Sequence, residues 1–83
     1  MFFCYIVVSK STGRYYIGST HDLANRLREH NGGEGKHTRG GIPWEIVWSE
    51  EFVSRTGAMD REKQVKGRGA GRFLKDLERM QSG

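Results

Sequence analysis

The chain has one proline and one cysteine among its 83 residues, few of the residues that most constrain a backbone. A single thiol, Cys4, excludes an internal disulfide and suits a reducing, cytoplasmic setting. Long apolar runs are also missing. The stretch from Met1 to Val8 is eight residues, whereas a bilayer-spanning helix needs about 20. It also lacks the basic start of a signal peptide, so no membrane is expected as a partner. No repeat, linker or low-complexity tract divides the sequence, and one domain over residues 1–83 is expected.

What the chain does carry is glycine and positive charge. Twelve glycines imply tight turns or close backbone approaches. A net charge of +4, with an isoelectric point near 9.6, favours an anionic partner.

Phe2 to Val8 is rich in aromatic and β-branched residues and reads as a strand. Ser11-Thr12-Gly13 is a turn, and Arg14 to Gly18 a second strand. Period two puts Phe3, Tyr5 and Val7 on one face, and Cys4, Ile6 and Val8 on the other. Tyr16 and Gly18 oppose Tyr15 and Ile17 in the same way. A helix follows, capped by Ser19 or Thr20, with Asp22 in its first turn and Leu23, Ala24 and Leu27 as its apolar stripe. Asn31-Gly32-Gly33 ends it.

Glu34 to Gly41 is a glycine-rich basic loop. Pro43 opens a third strand over Trp44 to Phe52, whose alternation groups Trp44, Ile46 and Trp48 on one apolar face. That reading makes the two tryptophans core residues. Ser54 or Thr56 caps a second helix to about Lys66, Gly67 to Gly71 breaks it, and Phe73 to Met80 forms the last. Phe73, Leu74, Leu77 and Met80 then share one side. The order β-β-α-β-α-α makes an α+β domain, a small three-stranded antiparallel sheet flanked by helices.

Three groups of residues have chemical potential. Tyr5 and Tyr16 lie on adjacent strands of one hairpin, as site residues or as ordinary strand aromatics. Arg26 and His30 lie one turn apart on the first helix, beside its apolar stripe. An arginine there holds a phosphate and a histidine relays a proton; the plainer alternative is a solvated face. Glu62 shares a helix side with Ala58 and Val65, where a carboxylate is costly unless it is paired or binds a metal. Its plainer alternative is a surface ion pair with Lys66. Between Arg61 and Lys75, Glu62 is the only acid among six basic residues, so the flanks would draw a phosphodiester toward it. Cys4 has no recognisable catalytic neighbour and reads as a small hydrophobe.

Taken together, these residues resemble the GIY-YIG nuclease superfamily. Tyr16-Ile17-Gly18 is the second half of its signature, and Phe3-Cys4-Tyr5 keeps the tyrosine of the first. Gly18-Ser19-Thr20, the Arg26-Leu27-Arg28-Glu29-His30-Asn31 segment, Pro43-Trp44, and Ala58 with Glu62 and Lys66 follow in order. The likeness spans nearly the whole chain and looks most like the small stand-alone bacterial branch. It implies a divalent-metal-dependent endonuclease that hydrolyses DNA phosphodiester bonds with low sequence specificity.

By the same resemblance, Glu62 binds one Mg²⁺ or Mn²⁺ and Arg26 steadies the charged phosphate. Tyr5 orients or deprotonates the attacking water, Tyr16 lines the site and His30 takes part in proton movement. Lys36, Arg39, Lys63, Lys66, Arg68 and Arg72 are the expected nucleic-acid contacts. All five catalytic candidates are expected in one surface cleft. The family's asparagine downstream of the glutamate has no counterpart, since the only asparagines are Asn25 and Asn31; Lys66 or Arg72 stands nearest as a substitute. The rival reading is a non-catalytic nucleic-acid-binding module of the same fold.

Overall fold

In the computed structural model, which describes residues 1–82, strand β1 (Phe2–Ser9) is the centre of the sheet. Strand β2 (Tyr15–Thr20) returns beside it through a tight turn, and β3 (Trp44–Phe52) pairs with its other edge. Both pairings are antiparallel. Helix α1 (Leu23–Asn31) connects β2 toward β3, with a short 3₁₀ turn at Arg39–Gly41. Helices α2 (Arg55–Arg68) and α3 (Ala70–Ser82) complete the expected β-β-α-β-α-α order. No helix among the described residues is long and apolar enough to cross a membrane.

The period of two along β1 divides the core. Tyr5 and Val7 pack with Trp44, Tyr16, Leu23, Leu27 and Ile46 on the side covered by α1. Cys4 and Ile6 pack with Val65, Ala70 and Phe73, and with Ile17, Trp48, Phe52, Leu74 and Leu77, under α2 and α3. The third strand departs from its expected phasing. Ile6 pairs with Trp48 but Val7 with Ile46, so a bulge leaves Val47 over and reverses the faces. Trp44 and Ile46 therefore face α1. Trp48 faces the other way and meets the Phe73 ring edge-on at 4.8 Å. Both tryptophans serve as core, but in different halves of it.

The helix ends also correct the sequence reading. Asp22, not Ser19 or Thr20, caps α1 by accepting from the Asn25 amide at 3.0 Å. Ser54 caps α2 through the Gly57 amide at 3.1 Å. That helix runs two residues past Lys66, to Arg68. Gly69, at φ 94°, makes the break, and α3 starts at Ala70 rather than Phe73. Met80 is 77% exposed and does not join the buried side of α3.

Candidate active site

Tyr5 is the pivot of the polar cluster, and β2 makes room for it. Its register partner is Gly18, where an added Cβ would come within 2.6 Å of the Tyr5 hydroxyl. Only glycine lets the phenol lie across the neighbouring strand. Tyr16, two residues back along β2, pairs with Val7 and so lies diagonally to Tyr5 on the same face.

From Tyr5 a chain of hydrogen bonds runs both ways. Its hydroxyl contacts His30 Nε2 at 2.9 Å, and His30 Nδ1 contacts Thr38 Oγ1 at 2.9 Å. On the other side Arg26 Nε donates to the Tyr5 oxygen at 3.4 Å, and an Arg26 Nη donates to Glu29 at 2.9 Å. A guanidinium can only donate, so the Tyr5 proton is free to point to His30. With that proton directed at Nε2, neutral His30 accepts at Nε2 and donates from Nδ1 to Thr38; the other tautomer reverses both bonds. Tyr5, His30 and Thr38 are at most 2% exposed. Among the described residues, no buried side-chain polar atom lacks a partner.

This burial fixes the protonation states. It pushes the Tyr5 phenol above the ordinary tyrosine value, although the Arg26 hydrogen bond and charge pull it back. It pushes His30 below the ordinary histidine value, helped by the Arg26 charge and opposed by Glu29. The hydrogen bonds to Tyr5 and then Glu29 hold Arg26 firmly charged. The cluster at rest is thus a neutral phenol and a neutral imidazole beside a permanent cation.

The five candidates occupy different settings. Tyr5, Arg26 and His30 are linked directly, and the half-buried Tyr16 ring meets the His30 ring edge-on at 5.1 Å. Arg26 alone of the five lines a cavity of 340 Å³ between the starts of α1 and α2. Ala58 and Met59 line the same cavity; Glu62 lies one turn further along that side of α2. The Glu62 carboxylate is 21% exposed and accepts from Lys66 at 2.6 Å. It is near enough to push up both the Cys4 thiol and the Tyr5 phenol.

The six expected nucleic-acid contacts are all exposed. Two of them have partners: Lys66 is on Glu62, and Arg68 forms two bonds to Asp76 at 2.8 and 3.0 Å. Cys4 is fully buried, and burial raises its thiol to about 11, as suits a packing residue.

Three contributing residues escape a reading of the sequence. Thr38 Oγ1 partners His30 Nδ1, and its carbonyl accepts from Trp44 Nε1 at 2.6 Å. Asn31 clamps the start of β3 through both backbone groups of Trp44. Glu29 holds Arg26 and also accepts from Asn25 at 3.1 Å. Of these, only the three-residue spacing of Arg26 and Glu29 is a local signal.

The model of the GIY-YIG catalytic domain matches residues 1–71. The chain belongs to the GIY-YIG family. A UPF0213 protein of Halobacterium salinarum is 44% identical over 61 residues, covering 72% of this chain and 79% of that one. The structure-specific endonuclease subunit slx1 of Schizosaccharomyces pombe is 37% identical, covering 90% of this chain but 30% of that protein. The solution structure of a UPF0213 protein from Bacillus halodurans matches with a TM-score of 0.56 and 34% identity. That match covers all of this GIY-YIG chain and 88% of the solved one.

Proposed function

We propose that this GIY-YIG domain is a divalent-metal-dependent DNA endonuclease of low sequence specificity. The observation that carries the reading is the buried Thr38–His30–Tyr5–Arg26 chain, which ends in a guanidinium lining an open cavity.

The Tyr5–Arg26 bond, at 3.4 Å, is the long link in the chain and the one that yields. Arg26 turns onto the scissile phosphate, where its fork of donors stabilises developing charge. Its departure opens the Tyr5 oxygen to the attacking water. Tyr5 takes the water proton while passing its own to His30 Nε2, and Thr38 steadies the resulting imidazolium from the Nδ1 side. Tyr16 lines the approach beside His30.

Glu62 fits a hard divalent cation. Its carboxylate already faces a positive group, and Mg²⁺ characteristically takes one or two protein carboxylates with substrate phosphates and waters. A closed protein cage is not on offer, because the described residues hold no group of three or more His, Cys, Asp or Glu suited to a metal. Bound there, Mg²⁺ or Mn²⁺ would supply a Lewis acid for the phosphoryl oxygens. The exposed cations Lys36, Arg39, Lys63 and Arg72 contact phosphates without reading bases, so DNA affinity is modest and falls steeply with salt. A cytoplasmic setting accords with the lone reduced thiol.

The Glu62–Lys66 pair favours one alternative, a nucleic-acid-binding module without turnover, since such a pair can be a plain surface contact. Single-turnover nicking of plasmid DNA with Mg²⁺ or Mn²⁺ separates the two. Glu62→Gln should slow nicking by roughly a thousandfold, as expected for several kcal/mol of lost transition-state stabilisation. Its melting temperature and DNA binding should stay near those of the parent. Equal rates would remove Glu62 as the metal ligand.

A further inference from the structure

The 340 Å³ cavity between the starts of α1 and α2 is large enough for one small ligand group. Its lining is unlike that of a phosphate trough. Two cations, Arg26 and Arg55, face it, but so do two carboxylates, Asp22 and Glu29. With Arg26 taken by one phosphate, Arg55 is left with the two carboxylates, so the remaining space suits a group without negative charge. The rest of the wall sets polar Ser19, Thr20, His21 and Asn25 against an apolar side: Phe2, with the Arg55 guanidinium 5.6 Å from its ring centre, Ala58, and Met59 one turn beyond Arg55. A stacked arginine and aromatic pair is a surface on which a nucleobase lies flat.

The carboxylates have acceptor capacity left over. Glu29 receives Arg26 at one oxygen and Asn25 at the other, and Asp22 caps the Asn25 amide through one of its two oxygens. A carboxylate offers about four lone-pair sites. Such acceptors repel a second phosphate and suit the exocyclic amino groups of a base.

We propose that this cavity receives one unpaired nucleobase next to the phosphate held by Arg26, so that the domain prefers single-stranded or branched DNA to continuous duplex. The inference rests on the reading of Arg26 as the phosphate-holding group. A paired base reaches the cavity only after unstacking and unpairing, whereas a base at an overhang or junction arrives without that cost.

The test uses metal-free protein and a DNA duplex carrying a one-strand overhang, with 2-aminopurine as the first unpaired base. Stacking in the cavity should quench its fluorescence, and the overhang DNA should bind about tenfold more tightly than blunt duplex of equal length. Arg55→Ala removes part of the stacking surface and Met59→Trp fills the space. Both positions are exposed, so melting curves should report folded variants. Each should lose the quench and most of the overhang preference. Parallel nicking assays with Mn²⁺ keep the two ideas apart. Equal nicking of blunt and overhang DNA, with no quench, would overturn the cavity proposal and leave the nuclease reading standing. Quenching that Arg55→Ala and Met59→Trp abolish, with no nicking of either DNA, would support the cavity and overturn the nuclease reading.

Discussion

The two faces of this small sheet are built on opposite principles. Under α2 and α3 the buried residues are almost wholly apolar: Cys4, Ile6, Val65, Ala70 and Phe73. Under α1 the buried set includes His30 and Thr38 together with the Tyr5 hydroxyl, each group satisfied by the next. The apolar face is tolerant of volume-conserving swaps, because dispersion and area burial have no direction. The polar face is not, because a buried donor without its acceptor costs about 1–3 kcal/mol. One strand, β1, serves both, and its alternation keeps the apolar cluster and the Tyr5–His30 chain on separate sides, while Glu62 comes from α2.

The largest stability change expected from breaking this contrast is on the apolar face. Phe73 is 8% exposed and packs against Trp48. Phe73→Ala should cost about 3–5 kcal/mol by lost transfer energy and cavity formation. That is a large fraction of a small domain's total stability. Chemical denaturation should report it, while the nicking rate of the molecules still folded at low temperature stays close to the parent's. A specific loss of turnover in fully folded protein would mean that the faces are not independent.

Arg26→Ala attacks the other face at its exposed end. The side chain is 37% exposed, so stability should change little. The nicking rate should fall by about a hundredfold, the usual scale for removing one donor to a developing anion. DNA affinity should weaken as well, because the guanidinium contacts substrate and transition state alike. A variant that loses affinity without losing single-turnover rate would confine Arg26 to binding.

A smaller effect separates steric from chemical roles. Gly18→Ala would bring a methyl group within 2.6 Å of the Tyr5 hydroxyl, forcing the phenol aside. Overpacking of this kind costs about 1–3 kcal/mol. It should also loosen the His30–Tyr5 link, so turnover drops although no polar group has been removed. An unchanged rate would show that the position of Tyr5 does not matter to the reaction.

These contrasts explain how far the sequence could be read. Strand β3 has the expected bounds, and the antiparallel sheet, the order of elements and the facing of Tyr5 with Tyr16 follow from periodicity and turn residues, which are local signals. The Val47 bulge does not, because it depends on pairing with β1, whose partner residues lie some forty positions away. Thr38 is hidden for the same reason. It sits in a glycine-rich loop with no periodic pattern, and only folding brings it to His30. Burial of Tyr5 and His30 is equally out of reach: of the five residues expected in one surface cleft, these two are sealed from solvent and Arg26 is the one that lines the cavity. The motif indicated which side chains gather but not which of them meet solvent.

The smallest effect concerns pH, and its sign follows from the same burial. His30 is held below the ordinary histidine value, first by burial and then by the Arg26 charge. Above about pH 6.5, the free histidine value, it is neutral in folded and unfolded chains alike, and the full stability is present. As pH falls below that value, the unfolded chain binds a proton that the folded chain resists, and stability is lost down to the depressed folded pKa. Asp76 behaves as a carboxylate held low by the Arg68 hydrogen bond, so its contribution fades only in the acidic range below the usual aspartate value. The interval from pH 6.5 to 5 therefore isolates His30. Thermal melts across it should show a declining midpoint for the parent protein. His30→Gln, which cannot take up a proton, should have a lower midpoint at pH 7.5, because glutamine cannot bridge Tyr5 and Thr38 as the ring does. Its curve should be flat over the same interval. A parent midpoint that holds steady or rises toward pH 5 would mean that His30 is already protonated in the folded protein. Tyr5 would then have no acceptor for its proton, and the relay from water through Tyr5 to His30 would fail.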